Sequence, residues 1–246
     1  MDNSERIKYA NQWETSANHF LYNKDYDWMA DCISEYNCVL EVGTGTGHST
    51  LILAQKGHRI IAIEKNEHCI LKAKELLRCN GVSYCDLNSI DADAAVVFIN
   101  SDICDIYIDQ LYNFNIDVVA CWNIGTHWSK EMMEYYIGKM LNYGLTVDQI
   151  KENVESSYGE FIQWSAVASA RDLDVPVHIV DRNLYPINED NDVYFSSLKE
   201  EFNYESIRYM SRETSSKSIG GRPLTARNCV LEDDEVQVVL ISILMF

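Results

Sequence analysis

Residues 39–50, VLEVGTGTGHST, place three glycines at alternate positions, 43, 45 and 47, directly after an apolar run. A glycine-rich turn between a strand and a helix lets the backbone come close to a ligand, with the N–H groups of the helix start pointing at it. Several nucleotide-like ligands are held in this way, so the spacing must discriminate among them. The dinucleotide pattern G-x-G-x-x-G would need glycines at 43, 45 and 48, and position 48 is His48. A phosphate loop ending in Gly-Lys-Ser or Gly-Lys-Thr is also absent. Glu41, two residues ahead of the first glycine, would oppose a pyrophosphate but welcome an ammonium or sulfonium cation.

Outward from this turn, strand-like and helix-like segments alternate. CVLEV (38–42) reads as a strand, and 47–56 as a helix with Gly57 where a left-handed C-cap belongs. RIIAIE (59–64) is a second strand, followed by an amphipathic helix over 66–79 with Asn66 as N-cap and Gly81 near its stop. AAVVFI (94–99) and IDVVAC (116–121) are the third and fourth strands, and Ser129 is placed to cap a helix running to about Leu141. Thr146-x-x-Gln149 and Ser157-x-x-Glu160 have the form of capping boxes, each opening a helix. VPVHIVD (175–181), a short helix over 195–203, YESIRYM (204–210) and the final EVQVVLISILMF complete seven strands. The alternation predicts an α/β fold, doubly wound, with a mostly parallel sheet and helices on both faces. No repeat or linker divides the chain, so a single domain over 1–246 is expected. Residues 122–174 exceed one crossover helix, which points to a helical insertion over about 129–172 and places substrate selection there.

The composition narrows the partners. Apolar residues make up 47% of 246, ample for one core, and no apolar run approaches the ~20 residues of a bilayer span. The polar N-terminus lacks a signal-peptide pattern, so a cytoplasmic protein without membrane contact is expected. Eight scattered cysteines without a CxxC pair read as reduced thiols rather than metal ligands, and no metal is expected. The net charge of −18 opposes binding to nucleic acid, which draws affinity from clustered Lys and Arg. One stretch runs the other way. In 212–227, Arg212, Lys217, Arg222 and Arg227 stand against Glu213, a local +3 (four minus one).

LEVGTGTG (40–47) resembles the first motif of the class I S-adenosylmethionine-dependent methyltransferases, acidic-x-Gly-x-Gly-x-Gly. The resemblance implies the fold of that family, a seven-stranded sheet whose last strand is antiparallel, and S-adenosyl-L-methionine as cofactor. It implies that Glu41, Gly43, Thr44, Gly45 and Gly47 form the cofactor turn, with Glu41 near the methionyl end. Glu64, ending the second strand, would accept hydrogen bonds from both ribose hydroxyls, with Lys65 beside it. In NSDICDI (100–106), Asp102 would meet the adenine amino group and Ile103 would flank the ring. VVACWNIGTH (118–127) would lie under the reacting methyl group, bringing in Cys121, Asn123 and His127.

His127 has a side chain suited to proton removal near neutrality, and Asn123 is placed to read substrate or cofactor. Tyr9, Trp13, His19 and Tyr22 precede the first strand, and the segment 1–37 is expected to form a helical lid, with Trp13 and Tyr22 toward the substrate. In a fold with an antiparallel last strand, the connection 211–234 reaches the cofactor edge. Arg222 and Arg227 on it suit a small-molecule acceptor bearing a carboxylate or phosphate. Two alternatives stand beside this reading. WNIGTH has some likeness to adenine-N6 methyltransferases of ribosomal RNA, although Gly125 and Thr126 replace their Pro-aromatic pair. A noncatalytic S-adenosylmethionine-binding protein is the other. The oligomeric state and the atom methylated have no signature in the chain.

Overall fold

The apolar run ahead of the glycine turn forms strand β1 (Cys38–Val42), buried along its whole length. Burial on both faces is the environment of a central parallel strand. Alternate side chains point to opposite faces, so Leu40 and Val42 join one apolar cluster while Val39 joins another. Strand β2 (Arg59–Ile63) divides in the same way, with Ile61 and Ile63 on one side and Ile60 and Ala62 on the other. The sheet therefore separates two cores, one under each layer of helices. The computed structural model describes residues 3–89, 91, 93–122, 130–217, 225–226, 229–230 and 235–246.

The remaining strands are β3 (Tyr84–Asp86), β4 (Val96–Ile99), β5 (Val118–Trp122), β6 (Val177–Asn183), β7 (Ile207–Lys217), the short β8 (Thr225–Ala226) and β9 (Cys229–Val230), and β10 (Glu235–Met245). The main sheet has the order β3-β4-β2-β1-β5-β6-β10-β7. All pairs from β3 through β6 are parallel, and β10 runs antiparallel to both β6 and β7. This is the doubly wound sheet with an antiparallel last strand that the sequence implies, extended to eight strands by β3. The extra strand is a three-residue edge, Tyr-Cys-Asp, with no residue fully buried, so it carries no hydrophobic pattern to read.

On one face lie α1 (Asn3–Tyr22), α2 (Asp25–Asp31), α3 (His48–Gln55) and α4 (Glu67–Cys79); on the other lie α5 (Lys130–Tyr143), α6 (Val147–Glu152), α7 (Val154–Leu173) and α8 (Tyr194–Glu201). The Asn66 side chain accepts from His68 N at 3.1 Å, capping α4 as its sequence predicts. Thr146 and Gln149 form the expected capping box of α6. The second capping box does not form. Helix α7 starts at Val154 under an Asn153 cap, and Ser157 sits inside it, its hydroxyl donating to Gln149 O at 3.3 Å. Asn153 is the better N-cap because its short side chain reaches Ser156 N at 3.1 Å.

Strand β7 continues seven residues beyond the stretch that reads as a strand. β6 pairs with residues 239–245 of β10, so residues 235–238 pair only with β7 and the hairpin projects past the sheet. Helix α1 docks on that projection through polar groups. Ser16 Oγ donates to Lys217 O at 2.7 Å, and His19 Nε2 lies 2.8 Å from Ser215 Oγ. Helix α2 adds Asp25, whose Oδ2 accepts from Thr214 Oγ1 at 2.8 Å and which pairs with Arg212, just inside the projection, at 3.0 Å. Residues 211–217 are polar because their neighbours are polar, and an apolar alternation was never available to mark them. No helix among the described residues is long and apolar enough to cross a membrane.

Candidate functional site

β1 pairs with β2 on one side and with β5 on the other. The helices α3 and α5, next in the chain after β1 and β5 among the described elements, lie on opposite faces of the sheet, and such a switch point is where folds of this kind place ligands. A cavity of about 400 Å³ lies there, bounded by the glycine turn, the ends of β2 and β4, and helices α1, α5 and α7. That volume is in the range of small-molecule sites.

The turn is strapped to β2, since Gly43 N and Thr44 N both donate to Ile63 O, at 2.9 and 3.1 Å. Gly45 and Gly47 have φ of +56° and +80°, in the left-handed region that favours glycine. Each also answers to a different neighbour. A Cβ on Gly45 would lie 2.2 Å from Trp13 Nε1, because α1 sets its indole on the turn. A Cβ on Gly47 would lie 2.6 Å from Ala73 Cβ and 2.8 Å from Ala73 Cα, where α3 and α4 meet. Gly43 and Gly45 line the cavity, whereas Gly47 and Thr44 are buried beside it.

Glu64 sits at the cavity wall, 9% exposed, with each carboxylate oxygen held by a backbone donor. Gly45 N donates to Oε2 and Asn66 N to Oε1, both at 2.8 Å. Burial raises its pKa, and the two N–H groups oppose that rise. The lone pairs left over point a pinned, multidentate acceptor at the cavity. Further along the wall, Asp102 caps the turn that begins at Ile103. Burial works against its charge, but Lys65 and the hydroxyls of Tyr136 and Tyr158 prevail and hold its carboxyl below the usual range. Lys65 Nζ lies 3.6 Å from Asp102 Oδ2 and 3.9 Å from the centre of the Tyr158 ring, and it hydrogen-bonds the Tyr158 hydroxyl. Burial lowers the Lys65 pKa, and Asp102 counters this.

The structure brings Gly43, Gly45, Glu64, Lys65, Asp102, Ile103 and Trp13 together around one cavity. Other residues singled out by sequence lie elsewhere. Glu41 points behind the turn, where Ser49 Oγ and Thr50 Oγ1 (2.6 Å) donate to its carboxylate. Burial pushes its carboxyl up to about 7. Cys121 is fully buried in the core next to β6, and Tyr22 is 85% exposed, so neither lines the cavity. Asn123, His127, Arg222 and Arg227 lie outside the described residues, as does Ser129. Arg6, Tyr9, Asn66, Met132, Tyr136, Tyr158 and Ile162 also line the cavity. Of these, Tyr9 belongs to the expected lid and Asn66 is the expected cap of α4, but no local motif marks Arg6, Met132, Tyr136, Tyr158 or Ile162, which arrive on helices α1, α5 and α7. Among the described residues no group of three or more His, Cys, Asp or Glu side chains is placed to hold a metal ion.

Buried histidines prove structural. Trp122 Nε1 donates to His178 Nδ1 at 2.9 Å, and His178 Nε2 meets Ser242 Oγ at 2.8 Å, so the neutral ring bridges β5, β6 and β10. Burial pushes its pKa down to about 3. His48, at the start of α3, contacts Asn18 of α1 and is pushed down to about 4, again by burial.

A family model described as "Methyltransferase domain" matches residues 34–161. No curated protein matches the chain. Among solved structures, it is similar to magnesium protoporphyrin IX methyltransferase of Synechocystis PCC 6803, at 12% identity and a TM-score of 0.46, covering 92% of this chain and 79% of that one. It is similar to precorrin-6y C5,15-methyltransferase of Geobacter metallireducens GS-15, at 11% identity and a TM-score of 0.45, covering 85% and 80%. It is also similar to EvdMO1, at 12% identity and a TM-score of 0.46; there it covers 89% of its own length but spans only 40% of the other chain.

Proposed function

The chain belongs to the methyltransferase-domain family, an S-adenosylmethionine-dependent class, and from that premise we propose that its methyl acceptor is a small molecule. The observation that carries the assignment of the cavity is Glu64, a carboxylate at the end of β2 whose oxygens are each pinned by one backbone N–H and still accept more. A ribose diol supplies the two donors that such an acceptor takes. Asp102 would be the matching acceptor for the adenine amino group, Ile103 would flank the ring, and the Gly43–Gly45 backbone would hold the methionyl part. Bound in this way, S-adenosylmethionine supplies an electrophilic methyl group on its sulfonium.

The chain's own work is binding, orientation and exclusion of water. Trp13, seated on Gly45 and 6% exposed, closes the turn from above. Residues 1–37 thus act as the lid of a single domain over 1–246, and the insertion over about 129–172 contributes α5 and α7 to the wall. Holding a nucleophile in line at near-attack distance is the main demand of this reaction, since the electrophile is preformed. Asn123 and His127 are proposed to face the acceptor, with His127 removing its proton. The charge of −18 supports a small acceptor over RNA, because a surface of that sign repels a polyanion.

Incubation with methyl-labelled S-adenosylmethionine and a fractionated cell extract tests the proposal. Label is expected in the low-mass organic fraction. Label in RNA would replace this reading with the adenine-N6 one, and cofactor binding without turnover in any fraction would make the chain a noncatalytic binding protein.

A further inference from the structure

The Asp102 carboxylate is unusually crowded on one side. Its Oδ2 accepts the Tyr136 hydroxyl and the Tyr158 hydroxyl, both at 2.6 Å, with Lys65 Nζ at 3.6 Å. Its Oδ1 accepts a single long backbone bond, from Cys104 N at 3.4 Å, with the Cys104 thiol also reaching the carboxyl group. A carboxylate offers about four lone-pair sites, so Oδ2 is filled and the capacity that remains lies on Oδ1. The two tyrosines come from separate helices, Tyr136 from α5 and Tyr158 from α7, and brace each other edge to face with ring centres 4.8 Å apart. The Lys65 ammonium lies 3.9 Å from one ring centre and 5.2 Å from the other. The Asp102 side chain is 5% exposed, so solvent does little to fix its orientation or charge.

We propose that Tyr136 and Tyr158 are positioning residues that make the site selective for a 6-aminopurine: they fix Asp102 as an oriented anion whose Oδ1 accepts from the exocyclic amine. The proposal rests on the reading that the cavity holds S-adenosylmethionine. Its chemistry is specific. An amine at position 6 donates to a carboxylate, whereas an oxo group in its place sets lone pair against lone pair. Without the two hydroxyls Asp102 can rotate, or take up a proton and donate to the oxo group instead. Discrimination then collapses while the rings, and the packing of α5 and α7, stay in place.

The test compares S-adenosylhomocysteine with S-inosylhomocysteine, its deaminated analogue, by calorimetric titration of wild type, Tyr136→Phe, Tyr158→Phe and the double variant. Wild type is expected to prefer the adenosyl compound. Hydrogen bonds to a charged group imply a loss of about tenfold in that preference for each hydroxyl removed. The double variant should show the larger loss, carried by weaker adenosyl binding with inosyl binding unchanged or improved. A parallel loss for both ligands would make the tyrosines structural only and overturn the proposal, as would an unchanged preference in the double variant. Wild-type binding of both compounds with equal affinity would remove the amine contact itself. Wild-type binding of neither would instead defeat the cofactor reading on which the proposal stands.

Discussion

The contact between Trp13 and the glycine turn can be weighed by a thermodynamic cycle. In Gly45→Ala the new Cβ would lie 2.2 Å from Trp13 Nε1 and 2.6 Å from Cδ1, well inside van der Waals separation. Alanine at φ +56° costs about 1 kcal/mol in backbone strain. Pushing a buried indole from its seat adds about 1–3 kcal/mol, the usual penalty for overpacking. The single variant should therefore lose about 2–4 kcal/mol by the sum of these two costs. In a Trp13→Ala background the ring is gone and only the backbone cost of about 1 kcal/mol remains. Urea unfolding of wild type, both single variants and the double variant gives the coupling, expected at about 1–3 kcal/mol. Gly47→Ala serves as the control. Its Cβ would meet the Ala73 backbone rather than Trp13, so its cost should be the same in both backgrounds. If Gly45→Ala costs the same with and without Trp13, to within about 0.5 kcal/mol, the indole does not sit on the turn and α1 does not close it.

Three further outcomes are expected. S-adenosylhomocysteine at a hundred times its dissociation constant should stabilise the fold by about 2.7 kcal/mol, and Glu64→Ala should remove most of the thermal shift; a shift with NAD and none with S-adenosylhomocysteine would contradict the site. Glu41, pushed up to about 7, contributes stability that is present below the ordinary glutamate pKa near 4.5 and lost as pH rises through 7. Glu41→Gln should therefore gain on wild type across that window by on the order of 3 kcal/mol. His48 and His178, pushed down to about 4 and 3, act in the opposite sense, losing stability as pH falls below about 6.5. The difference between variant and wild type is thus the readout, and a flat difference from pH 4.5 to 7.5 would rule out a protonated Glu41. Finally, Arg222→Ala and Arg227→Ala should raise the acceptor's KM severalfold without changing cofactor affinity; turnover like wild type in both would mean that the acceptor need not be an anion.

By itself the sequence determined the class of fold and one half of the cavity, because those depend on short-range patterns. Strand β1, the turn with its three glycines, the end of β2 at Glu64 and the capped turn at Asp102 each lie within a few residues of an apolar run that announces them. The Asn66 and Thr146 caps were legible for the same reason, since a cap and its target are neighbours in the chain. The tertiary structure alone decided the other half. Tyr136 and Tyr158 stand 34 and 56 residues from the carboxylate they share, and Trp13 is 32 positions ahead of the glycine it covers. Glu41 shows the same limit from the opposite side. Its spacing from the glycines suggested a cofactor contact, yet the handedness of the turn into α3 presents Ser49 and Thr50 to its carboxylate instead. Local periodicity reports which face of an element is buried; it carries no information on which distant element will cover that face, and in this cavity α1, α5 and α7 are the cover.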